Sequence, residues 1–317
     1  MTDADDALVP DADDALVLDA ADGGRVHVAA PTARWQFLLA GALWVALPAA
    51  LEAYLASLEV GGSVGRGLAY NTIAFALTGL VPLFIVMQRR EGAAGFGLDG
   101  PRGGVVTGLP LAIPFVVVAV SGALALGADV GRTAFGAFGF APLLGASNAA
   151  VVVYGVITTF LARTFLFGFC AVRARTAFGG SPVALRATTT RYGIGLAVAG
   201  LALGIAANLT TDPRPLVLEF IDAAALIALI VATASLIERD VTVPRPMLLA
   251  PAALTLVQGA AGLAFPAIPV LRQAEFWVLS AGTMLAVVCL IESRRWSWAA
   301  VPVIAATAIY GVSLFNP

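Results

Sequence analysis

Four charged side chains stand inside apolar stretches of this chain, and any chemistry in those stretches would fall to them. Glu52 interrupts LPAALEAYLA, Arg163 interrupts VITTFLARTFLFGF, and Glu219 and Asp222 stand three residues apart in LVLEFIDAAALIALI. At that spacing two carboxylates share one face of a helix. Paired acids and an arginine can relay a proton or a cation, because a charge surrounded by hydrocarbon persists only where something compensates it. The structural alternative is that Glu219 and Asp222 occupy the first turn of a helix, where acids suit the positive end of the dipole and stay wetted. Arg163 also has two readings. It pairs with an acid inside a bundle, or it snorkels to the surface that Arg173 marks about 15 Å further along the helix.

The residue inventory excludes other chemistry. His27 is the only histidine, and the two cysteines, Cys170 and Cys289, have neither a C-x-x-C spacing nor a neighbouring histidine. No disulfide framework, metal site or haem is therefore expected, and no cofactor. All eighteen basic residues are arginine, so no lysine can complete a phosphate-binding loop, and no nucleotide partner is expected. Nucleic-acid binding would need a folded basic domain, which the chain does not offer.

The elements that must position these residues are membrane spans. The chain has 317 residues, 60% of them hydrophobic and 12% charged, with a mean hydropathy of +0.92. Soluble domains carry roughly 25% charged residues, so a polytopic integral protein of the cell membrane is expected, with the lipid bilayer as its first partner. From Trp35 onward nine apolar segments follow, at about 35–58, 67–87, 104–127, 142–170, 192–209, 216–237, 247–265, 276–292 and 298–315, with eight to nine spans plausible. The even-numbered connections between them hold eleven arginines and the odd-numbered ones four. That bias puts the even connections and the N-terminus in the cytoplasm. Residues 1–33 form an acidic arm with eight acids, the duplication DADDALVP/DADDALVL and no signal-peptide pattern, and disorder is expected there. Residues 34–317 form the all-α transmembrane bundle. The connection from Arg173 to Arg191 carries Gly179-Gly180-Ser181-Pro182 and is expected to be a turn bounded by helical extensions. Its arginines, Arg173, Arg175, Arg186 and Arg191, either bind anionic lipid headgroups or only enforce topology.

The stretch Arg163-Thr-Phe-Leu-Phe-Gly-Phe169 also resembles the EExxxRGF motif of the CPBP family, the CAAX-protease and bacteriocin-processing membrane proteins. On that motif the two glutamates fall on Ala162 and Arg163 and the arginine on Phe167, while Gly168 and the aromatic context survive. Phe96-Gly97-Leu98 followed by Pro101 is similar to the junction that precedes a span in many family members. The family's FxxxH motif would fall on Gly204 to Asn208, and its HxxxN motif on Pro251 to Thr255. The resemblance implies a helical membrane fold and a peptidase site in which acids and histidines activate water. Ala162, Arg163, Phe167, Asn208, Pro251 and Thr255 supply no general base for that role.

The sequence therefore points to a catalytically silent, CPBP-like protein that serves as a binding or assembly partner for another membrane protein or a lipid. Two other functions fit the same residues. One is an active intramembrane peptidase with relocated acids at Glu219 or Asp222. The other is a small-solute or ion transporter that uses Glu52, Arg163, Glu219 and Asp222.

Overall fold

A chain this apolar must satisfy its backbone internally, and helices do so without partner segments. The computed structural model describes residues 28–57, 72–73, 76–125, 160–210, 215–263 and 269–313. Among these residues the long elements are α1 (Ala30–Ser57), α2 (Ala76–Gln88), α3 (Gly104–Ala125), α4 (Cys170–Phe178), α5 (Leu185–Thr210), α6 (Leu216–Ser235), α7 (Arg245–Gly262), α8 (Val270–Glu292) and α9 (Ala300–Ser313). Each coincides with one of the apolar segments or, for α4, directly continues one. By length and composition α5, α6 and α8 can each cross a membrane. Most of the acidic arm, residues 1–27, lies outside the described residues.

Several helices begin earlier than hydropathy suggests. α1 starts at Ala30 instead of Trp35, α5 at Leu185 instead of 192, and α8 at Val270 instead of 276. The added turns are polar, and a hydropathy boundary stops short of them because it does not register side-chain partners. Arg272 and Glu275 consequently belong to the first turns of α8 and not to a connection.

α8 is the central helix. It is apolar on all sides from Leu285 to Ile291, is buried through that length, and packs against α5, α6, α7 and α9. A helix without a polar face has to be enclosed by others, and this one is. Beside it runs a five-residue π-helical turn, Phe165–Phe169, in which Cys170 N–H donates to the Phe165 carbonyl. Its side chains are fully buried and join Trp44 of α1 in one core.

The Gly179-Gly180-Ser181 turn lies between helices, as expected, and leads into a short strand. That strand, β1 (Pro182–Ala184), pairs antiparallel with β2 (Thr242–Pro244), with Val183 opposite Val243. This small sheet ties the α4–α5 connection to the α6–α7 connection. Arg34 Nη2 donates to the Ala177 carbonyl at 3.3 Å, so the start of α1 joins the same region.

Candidate functional site

The charged residues collect at the two opposite ends of α8. At its N-terminal end the last turn of α5, the first turns of α6 and the first turns of α8 converge. Arg272 Nη1 donates to Glu219 Oε1 at 2.9 Å, to Glu219 Oε2 at 3.0 Å and to Glu275 Oε2 at 2.6 Å. Asn208 Nδ2, from α5, donates to Glu219 Oε1 at 3.2 Å. Oxygen atoms of Glu219, Asp222 and Glu275 lie within 4.8 Å of one another. Glu219, Asp222, Arg272 and Glu275 are all buried.

This closeness depends on Gly204. A Cβ there would collide with Glu219 Oε2 and Glu275 Oε1, so only glycine lets the α5 backbone close over the two carboxylates. Two of the three carboxyl groups, those of Glu219 and Glu275, accept from the one guanidinium. Buried carboxyl groups in this number persist only where cations or protons compensate them. The all-oxygen donor set suits a hard cation, although Arg272 already engages Glu219 and Glu275.

Glu219 does stand in the first turn of α6, as the structural alternative expects, but it and Asp222 are buried instead of wetted and belong to one cluster. Their arginine is Arg272 of α8. Arg163 is half-buried just before the π-helical turn, with no bond to a described residue. Glu52 lies on α1, but its side chain lies outside the described residues. Arg272 and Glu275 went unrecognised in the sequence because the hydropathy boundary fell between Glu275 and Phe276. A usable signal was present, since R-x-x-E at 272–275 repeats the three-residue spacing of E-x-x-D at 219–222.

At the opposite end of α8 a second set of charges meets. Arg173 Nη2 donates to Glu91 Oε2 at 2.6 Å in a fully enclosed pair, and the guanidinium lies 4.5 Å from the Phe169 ring centroid. Burial holds the Arg173 guanidinium below its ordinary pKa, and Glu91 offsets only part of that. Arg175 Nη2 donates to Glu292 Oε2 at 2.7 Å. Arg173 is thus withdrawn from any headgroup role, and Arg175 is already paired. Arg186 is half-buried and Arg191 exposed.

Two of the three polar positions of the EExxxRGF motif are filled with apolar side chains. Ala162 and Phe167 are completely buried, and the second acid position holds the half-buried Arg163, so neither acid is kept and an apolar ring stands where the motif has its arginine. The surviving Gly168 has a packing reason, because a Cβ would come within 2.6 Å of the Phe96 carbonyl oxygen. Phe96 belongs to the 3₁₀ turn Gly92–Phe96, which ends at Gly97 with φ +73°. The two best-preserved parts of the resemblance therefore touch. Thr255 donates to the Pro251 carbonyl at 3.0 Å and contacts Met284 Sδ, while Asn208 is drawn into the Glu219 cluster.

No protein-family model, characterised protein or solved structure matches this chain, so the CPBP resemblance stands on the residues quoted above.

Proposed function

We propose that the chain is a multi-pass cell-membrane protein of about nine spans with a cytoplasmic N-terminus. It is similar to the CPBP family in scaffold, catalytically silent, and acts as a binding or assembly partner for another membrane protein or a lipid. One observation carries this reading: the positions where the family's glutamates and arginine would stand hold Ala162, Arg163 and Phe167, with no acid among them, while Gly168 still packs on the Phe96 turn. A site that keeps its scaffold contacts and loses its acids retains shape without a means of activating water. The test is gentle extraction from native membranes followed by mass measurement of the intact complex. A defined stoichiometric partner or retained lipid is expected; a bare monomer that cleaves a prenylated reporter peptide overturns the reading.

Proton or cation transfer is the second reading, favoured by the cluster of three carboxyl groups, two of them bonded to Arg272. In liposomes, Glu219→Gln should then abolish ion-coupled flux, and flux unchanged by Glu219→Gln and Glu275→Gln together would dispose of it. The relocated-peptidase reading has less support. Glu219 is buried with both oxygens accepting from Arg272, which leaves no free base for a water.

A further inference from the structure

Two connections that are almost two hundred residues apart in sequence form one surface. The connection between α2 and α3 packs on the connection between α8 and α9: Gly100 N–H donates to Ser297 Oγ at 2.9 Å, and Gly104 lies against Trp298 and Ala299. Arg102, Arg294 and Arg295 are thereby gathered at the same end of the molecule. Arg102 lies over the Trp298 ring at 5.9 Å and Arg295 over the Trp296 ring at 4.9 Å. Arg102 and Arg295 are exposed, and the indoles beneath them are half-buried. Asp99 is the acid nearby, lining the same cleft as Arg294, while Glu292 in that cleft is already bonded to Arg175.

Below Arg102, the outer face of α3 is apolar and uncovered. Val106, Leu109 and Ile113 are exposed and follow Arg102 at intervals of four, three and four residues, which places them in one stripe along the helix. The arrangement has an anion-binding head above an apolar track.

We propose that this surface is a binding site for an acidic phospholipid, with Arg102 and Arg295 holding the phosphodiester and the α3 stripe taking an acyl chain. The proposal rests on the membrane reading above. A guanidinium stacked on an indole keeps its N–H edge free to fork onto phosphate oxygens. A soluble phosphate would use the arginines alone; the continuous apolar stripe selects an amphiphile. This differs from a general positive-inside effect, which would weigh all exposed cytoplasmic arginines equally.

The test is native mass spectrometry of the full chain in mild detergent with phosphatidylglycerol and phosphatidylcholine of matched chains. Preferential retention of phosphatidylglycerol is expected. Each of Arg102→Gln and Arg295→Gln should weaken retention about fivefold, and the double variant about twenty-five-fold. Arg191→Gln, also exposed and basic but on α5 and without an indole beneath it among the described residues, should leave it unchanged. Equal loss in Arg191→Gln, no preference between the lipids, or a chain dimer that excludes lipid would overturn the proposal. So would equal competition by glycerophosphoglycerol, which has the head without the chains. Both substitutions are exposed and melting curves should match the parent; if the double variant fails to fold, the single variants decide. A protein that stays in solution after detergent removal would instead refute the membrane reading itself.

Discussion

Arg272 carries more of the interior's electrostatics than any other single residue described. Its Nη1 serves Glu219 and Glu275 together, so its removal leaves two buried carboxyl groups without a cation. Loss of one partner from a buried ion pair typically costs about 3–5 kcal/mol. Arg272→Met should therefore lower stability by about that amount, read as a large fall in melting temperature in detergent. Glu275→Gln should behave differently, because it removes one of the two acids that share the guanidinium and leaves Arg272 still bonded to Glu219. A change within about 1 kcal/mol of the parent is expected for it. Equal losses in the two variants would show that Arg272 depends on Glu275 as much as on Glu219. Gly204→Ala gives a third measurement at this site, since its methyl group would enter the space of Glu219 Oε2 and Glu275 Oε1. Overpacking of this kind costs about 1–3 kcal/mol. A neutral Gly204→Ala would mean that α5 does not close over the carboxylates.

Among the described residues most helices, α5, α6 and α8 above all, were legible in the sequence because their apolar runs are long enough to need no outside support for the backbone; α4 was not one of those runs. Their ends were less legible. Hydropathy registers transfer cost, whereas Arg272 and Glu275 are helical because Glu219 waits for them on α6, a partner 53 residues from Arg272 in sequence. The motif element shows the same division. The aromatic run and Gly168 were visible as residues, but the π-helical turn over Phe165–Phe169 and its contact with the Phe96 carbonyl depend on packing between distant segments. The preserved glycine can be separated from inheritance without purpose. Gly168→Ala should destabilise the protein by about 1–3 kcal/mol, whereas Gly103→Ala, with nothing near its added Cβ, should fall within about 0.5 kcal/mol. Thermal melts of the two variants side by side settle the comparison. Similar values would remove the packing account of Gly168 and weaken the argument for a retained scaffold.

At the scale of the whole molecule, the contacts between connections sort by parity. The α2–α3 connection meets the α8–α9 connection through Gly100 and Ser297, and meets the segment after the π-helical turn through Glu91 and Arg173. The α4–α5 and α6–α7 connections meet through β1 and β2, and Arg175 meets Glu292. All of these are the arginine-rich connections assigned to the cytoplasm. Asn208, Glu219 and Arg272 meet at the opposite end of α8, where α5 ends and α6 and α8 begin. Among the described residues the arginine-rich connections thus meet at one end of α8 and the Glu219 cluster lies at the other, a separation that the proposed alternate crossing of a bilayer would produce. Both native cysteines are buried, so single added cysteines can report sidedness with little background. In sealed right-side-out vesicles, a membrane-impermeant maleimide should leave Gly180→Cys unlabelled until the vesicles are opened. The same reagent should label Leu216→Cys, exposed at the start of α6, at once. Labelling of both positions from one side would refute the alternation, and would also place the Glu219 cluster and the arginine surface at the same face of the membrane.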